Sequence, residues 1–125
     1  VLEIPSIKLK RGILDIDNKY NKAKYNIELI KEKDDIIILA SHNGNNYNSY
    51  FGNLKNISLG DTINYYYDGK IYKYIYTDSY DIKKDGYADI YRKKGNKCIV
   101  LVTCKDGRND GQTVFIGYLD EILEY

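Results

Sequence analysis

The sequence predicts an all-β fold with one or two short helices, and three observations carry that reading. First, Asp68-Gly69 lies between two β-prone runs, "TINYYY" and "KIYKYIY". That dipeptide in that setting signals a two-residue hairpin turn. Second, "DIIILAS" and "CIVLVTC" are continuous apolar runs bounded by polar residues, as expected of strands buried on both faces. Third, the rest of the chain holds several more short apolar runs separated by turn residues, with no internal repeat. Such a pattern suggests an antiparallel barrel or closed sheet.

Taken in order, "LEIPSIKL" offers Leu2 and Ile4, then Ile7 and Leu9, with Pro5 interrupting any central ladder. "GILDID" reads as a short strand or a strand end. Residues 17–34 are polar and carry weak helical spacing through Tyr25, Ile27, Leu29 and Ile30. "DIIILAS" is a buried strand, and "HNGNNYNS" is a loop rich in Asn and Gly. "YFGNLKNISLGD" suggests one or two helical turns ended by Gly60. The hairpin follows, with Tyr72, Tyr74 and Tyr76 on one strand face. This tyrosine density would suit a base- or sugar-stacking platform. With no basic face beside it, β propensity and half-buried sheet faces explain it better. "KKDGYADIYRKKGNK" is a short polar connection, "CIVLVTC" a central strand and "TVFIGYLDEI" the last strand.

Residues 1–125 read as a single domain, long enough to hold a core without disulfides or metal. With 19 basic and 18 acidic residues, the net charge of +1 gives no general pull toward nucleic acid or an anionic membrane. No apolar run reaches the ~18 residues of a spanning helix, and no signal peptide is visible. The chain reads equally as a piece of a longer protein or as a complete cytosolic one. On one strand, Cys98 and Cys104 would lie about 20 Å apart at ~3.3 Å per residue. A disulfide needs Cα atoms roughly 4.4–6.8 Å apart, so the two cannot bond each other there. Zinc is poorly supported, because His42 is the only further soft ligand and structural zinc takes four.

Two residues carry nucleophilic potential. His42, the only histidine, lies just past "IIILAS", and Cys104 ends "CIVLVTC". If those strands are neighbours with matching ends, imidazole and thiol face one cleft. A Cys–His pair recurs in acyl transfer: sulfur attacks a carbonyl and imidazole protonates the leaving amine. Read singly, His42 is an exposed loop residue, Cys104 a packing residue and Arg108 a solvated turn residue. Arg108 could instead bind a substrate carbonyl or stabilise an oxyanion. No Gly-rich phosphate loop and no Gly-x-Ser-x-Gly elbow is present.

The order of the segments says more than any one of them. "LEIPSIKLKRGIL", "IIILASHNG", "YFGNLKNISLGDTI", "IVLVTC" and "TVFIGYL" together resemble the catalytic domain of a sortase, a cysteine transpeptidase of Gram-positive cell surfaces. The resemblance runs through nearly the whole chain. It implies a closed eight-stranded sortase-type β-barrel, with His42 as the catalytic histidine and Cys104 as the nucleophile. The substrate implied is an LPXTG-like sorting signal, cleaved between Thr and Gly through a thioacyl enzyme. An amine from a cell-wall precursor or another protein is the acceptor, and this route implies no metal or organic cofactor. The setting implied is the outer face of the cell membrane, with an anchor lying outside these residues.

Two departures from the family pattern stand out. Ser41 replaces the glycine usual before the histidine, and Gln112 stands where an arginine usually opens the last strand. Arg108 is taken for the arginine's role, with Ser41, Thr103 and Gln112 as substrate-binding residues. The short connection before "CIVLVTC" argues against the class whose loop there carries a long helix, and leaves a class D-like assignment open. The alternative is a degenerate sortase-like module that binds peptide without catalysis. An L,D-transpeptidase is disfavoured, because its Ser-x-Gly-Cys type motif is absent.

Overall fold

Pro5 turns the first apolar stretch back on itself. Its ring presets a helical φ and its missing N–H is no loss in a first turn. Pro5–Ile7 therefore form one 3-10 turn, closed by Lys8 in the left-handed region at φ 56° with its N–H donating to the Pro5 carbonyl. Strand β1 (Leu2–Ile4) enters this turn and β2 (Leu9–Arg11) leaves it, paired antiparallel.

The computed structural model describes residues 1–22, 27–33, 36–41, 51, 54–83, 97–104 and 111–124. Six further strands follow: β3 (Glu28–Lys33), β4 (Ile36–Ser41), β5 (Thr62–Tyr67), β6 (Lys70–Lys83), β7 (Cys98–Cys104) and β8 (Gly111–Glu124). A second 3-10 turn, Leu54–Asn56, packs Leu54 into the core. All eight strands form one sheet in the order β2-β1-β5-β6-β8-β7-β4-β3. The expected "HNGNNYNS" loop falls outside the described residues, as does the "KKDGYADIYRKKGNK" connection apart from its two ends, Lys83 and Lys97.

The sheet curls around one main core. Leu2, Ile4, Leu29, Leu39, Ile63, Tyr65, Ile99, Leu101 and Phe115, drawn from strands at both ends of the order, share that core. A smaller cluster on the opposite face of β4, β7 and β8 contains Ile36, Cys98, Val100, Val102, Val114 and Ile116. The central strands are thus apolar on both faces, as their sequences require. The expected full closure is not seen among the described residues: no ladder joins β2 to β3, and the architecture is a half-barrel. The sheet is also mixed rather than wholly antiparallel, because β4 and β7 run parallel.

The Asp68-Gly69 turn forms as expected. Tyr67 pairs with Lys70, and both turn residues have positive φ, 52° and 73°, the geometry of a type I′ hairpin. The long pair β6 and β8 is bent by two bulges, with Asp120 and Thr77 as the extra residues. The bulge at Thr77 switches the face of β6. Tyr74 and Tyr76 fill the main core, whereas Tyr80 packs on the second. Most of the tyrosine density is therefore sheet-face packing.

Two local expectations are corrected. "GILDID" is not a strand, because β2 stops at Arg11. Its partner β1 starts at Leu2, opposite Arg11, so no ladder remains for residues beyond. The helical spacing in residues 17–34 also misleads, since Glu28–Lys33 is strand β3. Ile27 and Leu29 are buried with strand periodicity, while Ile30 occupies a bulge against β4 and is 46% exposed. The extra residue imitates a helical interval.

Two polar contacts compensate for the unclosed edge. Asn21, 7% exposed, receives the Leu29 N–H on Oδ1 at 2.7 Å and donates from Nδ2 to the Leu29 carbonyl at 2.9 Å and the Ile16 carbonyl at 3.0 Å. One side-chain amide thus replaces a strand neighbour on the free edge of β3. The Tyr65 hydroxyl donates to Glu32 Oε2 at 2.7 Å, joining β5 to β3 across the lumen.

These contacts generate two expectations. Asn21→Ala leaves the Leu29 amide unpaired in a buried setting and should lower unfolding free energy by about 2 kcal/mol or more, read by urea denaturation. Tyr65 and Tyr74 have phenol pKa values raised, chiefly by burial. The unfolded chain ionises them near pH ~10 while the native chain holds the proton. Their contribution is therefore complete below that pH and lost as pH rises above it. Tyr74→Phe should flatten the alkaline fall in stability seen in wild type, measured by denaturation midpoints from about pH 9 to 11.

Candidate active site

Strands β4 and β7 are matched over six rungs, from Ile36 opposite Cys98 to Ser41 opposite Thr103. Being parallel, they reach the same rim of the sheet with their C-terminal ends side by side, about 4.8 Å apart. Neighbouring β8 brings Thr113 opposite Thr103 and Gln112 opposite Cys104. The rim therefore gathers Ser41, Thr103, Cys104 and Gln112, four of the six residues singled out from the sequence. His42, next in the chain after Ser41, and Arg108 lie outside the described residues.

Alternation along the strands sets the environment of the last rung. Leu39 and Leu101 point into the main core, and Ser41 and Thr103 follow two residues later on the same face. Both are only 4% exposed. Neither the Ser41 Oγ nor the Thr103 Oγ1 has a hydrogen-bond partner among the described residues. An unpaired buried hydroxyl costs about 1–3 kcal/mol, so the rung carries two unmet polar groups above an apolar floor. Beside them, the Thr113 hydroxyl is satisfied, donating to Asp81 Oδ1 at 2.8 Å.

The sequence reading named Ser41 and Thr103 but missed that both are buried and unpaired. The spacings Leu39-x-Ser41 and Leu101-x-Thr103 were the available signal, since each continues a core-facing period. Among the described residues, no three His, Cys, Asp or Glu side chains come together to hold a metal ion. No helix among them is long and apolar enough to cross a membrane.

Residues 2–119 match the model of the Sortase domain. The chain belongs to the sortase family. These are cysteine transpeptidases, and the strand ending in Cys104 lies within the matched residues. Solved sortases of three classes share the fold. The Listeria monocytogenes sortase A superposes with a TM-score of 0.81 at 20% identity, over 99% of this chain and 88% of that one. The Streptococcus pneumoniae sortase C gives 0.80 at 14% identity, over 96% of this chain and 65% of that one. The Clostridium perfringens sortase D5 transpeptidase gives 0.78 at 17% identity, over 96% and 77%. These scores do not single out a class. Comparison with curated protein sequences gives no match.

The two unpaired hydroxyls make this sortase-family rim testable by itself. Thr103→Val removes a buried polar group that has no partner, and should leave stability unchanged or raise it by about 1 kcal/mol. Denaturation with an unchanged m-value checks this. A clear loss of stability would mean that the hydroxyl has a partner in the folded protein.

Proposed function

We propose that this chain is the catalytic domain of a cysteine transpeptidase acting on an LPXTG-like sorting signal. Cys104 Sγ attacks the threonine carbonyl carbon, and a thioester forms as the Thr–Gly bond breaks. The His42 imidazolium gives its proton to the departing glycine amine. An acceptor amine then attacks the thioester and releases the thiol. The acceptor is a cell-wall precursor or another protein, such as a pilin subunit. Water is the fallback. Arg108 supports the oxyanion, while Ser41, Thr103 and Gln112 contact the peptide. The domain works at the cell surface, held to the membrane by a segment outside these residues.

The observation that carries this reading is the Ser41–Thr103 rung. It ends two parallel strands together, and the chain continues from it directly into His42 on one side and Cys104 on the other.

One observation favours a second reading, a degenerate module that holds peptide without cleaving it. Gln112 sits opposite Cys104 at the place where the family's arginine usually opens the last strand. A neutral amide stabilises an oxyanion about half as well as a charged donor.

A reaction with a library of LPXTG-like peptides, with and without an added amine and read by mass spectrometry, separates the two. Transpeptidation predicts a thioacyl adduct on Cys104 that Cys104→Ala abolishes, and an amine-dependent product. Peptide binding with no adduct on any member of the library points to the second reading. Arg108→Ala should reduce turnover roughly 10²–10³-fold if its charge supports the oxyanion. Undiminished turnover there, with loss in Gln112→Ala, would transfer the role to Gln112.

A further inference from the structure

The end of the sheet opposite the Ser41–Thr103 rim, where β4 and β7 begin at Ile36 and Cys98, opens into a cavity of about 170 Å³. Ile37 and Tyr74 line its depth, 7% and 4% exposed, and Lys33 and Lys97 stand exposed at its mouth. Tyr67, Tyr72 and Glu32 complete the wall. We propose that this mouth is a binding site for a small phosphate-type oxyanion, held between the Lys33 and Lys97 ammonium groups and the Tyr74 hydroxyl.

Three observations support the assignment. Two exposed lysines, Lys33 and Lys97, line the mouth together, and no ion pair to either is seen among the described residues. Among the described residues Glu32 is the one carboxylate in the wall, and its Oε2 accepts the Tyr65 hydroxyl at 2.7 Å. Tyr74 is more than nine-tenths buried and lines the cavity, with its ring in the main core. Burial also holds its phenol in the protonated, donating form. Two ammonium groups and a hydroxyl donor around one small cavity match an anion rather than an ammonium ion.

Size and surroundings restrict the ligand further. The cavity is smaller than the ~300–1,000 Å³ typical of drug-sized ligands, and suits one tetrahedral group with its waters. An adjoining cavity of about 310 Å³ shares Glu32 and Tyr67 but adds Asp15 and Asp17. Its acidic wall repels an anion and confines it to the lysine side. The phosphate group could be free in solution or belong to a lipid headgroup, and the two sources are separable.

The test titrates the whole chain with inorganic phosphate at constant ionic strength, following amide shifts at positions 33, 74 and 97 by NMR, with chloride as the control. In parallel, phosphatidylglycerol vesicles are compared with phosphatidylcholine vesicles by co-sedimentation. Saturable phosphate binding identifies a free anion; binding to phosphatidylglycerol alone identifies a headgroup. Either should weaken about tenfold or more in the Lys33→Ala/Lys97→Ala double variant, and several-fold in Tyr74→Phe, which keeps the ring. The double variant removes only exposed side chains, so its fold and its peptide reaction should persist. Absence of binding in both arms, equal shifts with chloride, or binding that survives the double variant would each overturn the proposal.

Discussion

The parallel pairing of β4 and β7 is the constraint on which the rest of the structure depends. In an antiparallel pair, one strand's end lies beside its neighbour's beginning, so two residues at C-terminal ends are separated by the strand length. Parallel pairing instead delivers both C-terminal ends to one rim. It also obliges both strands to lie deep in the sheet, because parallel ladders are stable where both faces are covered. The second apolar cluster, with Val100, Val102 and Ile116, meets that requirement on the face away from the main core. The doubly apolar composition of "DIIILAS" and "CIVLVTC" follows from the same need.

Polar groups are treated differently around this frame. Along the free edge of β3, Asn21 satisfies backbone groups that no strand covers, and Tyr65 with Glu32 crosses the gap. At the rim, the Ser41 and Thr103 hydroxyls stay buried and unmet. A fold that spends a buried amide to finish one edge yet leaves two hydroxyls unpaired one residue before His42 and Cys104 has placed its strain unevenly. Unmet polarity of this kind accumulates where a ligand supplies the missing partner.

What the sequence disclosed depended on whether the signal was local. The Asp68-Gly69 hairpin was legible because two adjacent residues with positive φ suffice to set it. The buried strands were legible from apolar runs. β3 was not, because a bulge at Ile30 broke the alternation that Ile27 and Leu29 had begun. The end of β2 depended on where β1 starts, which its own residues do not encode. Nor did periodicity reveal that β4 neighbours β7 in parallel, or that the sheet stays unclosed among the described residues. Cys104 and Gln112 face each other across β7 and β8, a relation visible only in register. His42 and Arg108, singled out by residue type and by the family resemblance, lie outside the described residues.

The register between β4 and β7 also bears on how the molecule comes into being. The β1–β2, β3–β4 and β5–β6 pairs each join neighbours in sequence, so each can form from a short stretch of chain. The Ser41–Thr103 rung joins residues on opposite sides of the whole β5–β6 hairpin, and contacts of such sequence separation form slowly because a long loop must close first. A growing chain therefore completes most of its hairpins before the rim exists at all. In a half-made molecule the end of β7 has no β4 laid beside it, and the shared rim arrives only with the finished fold.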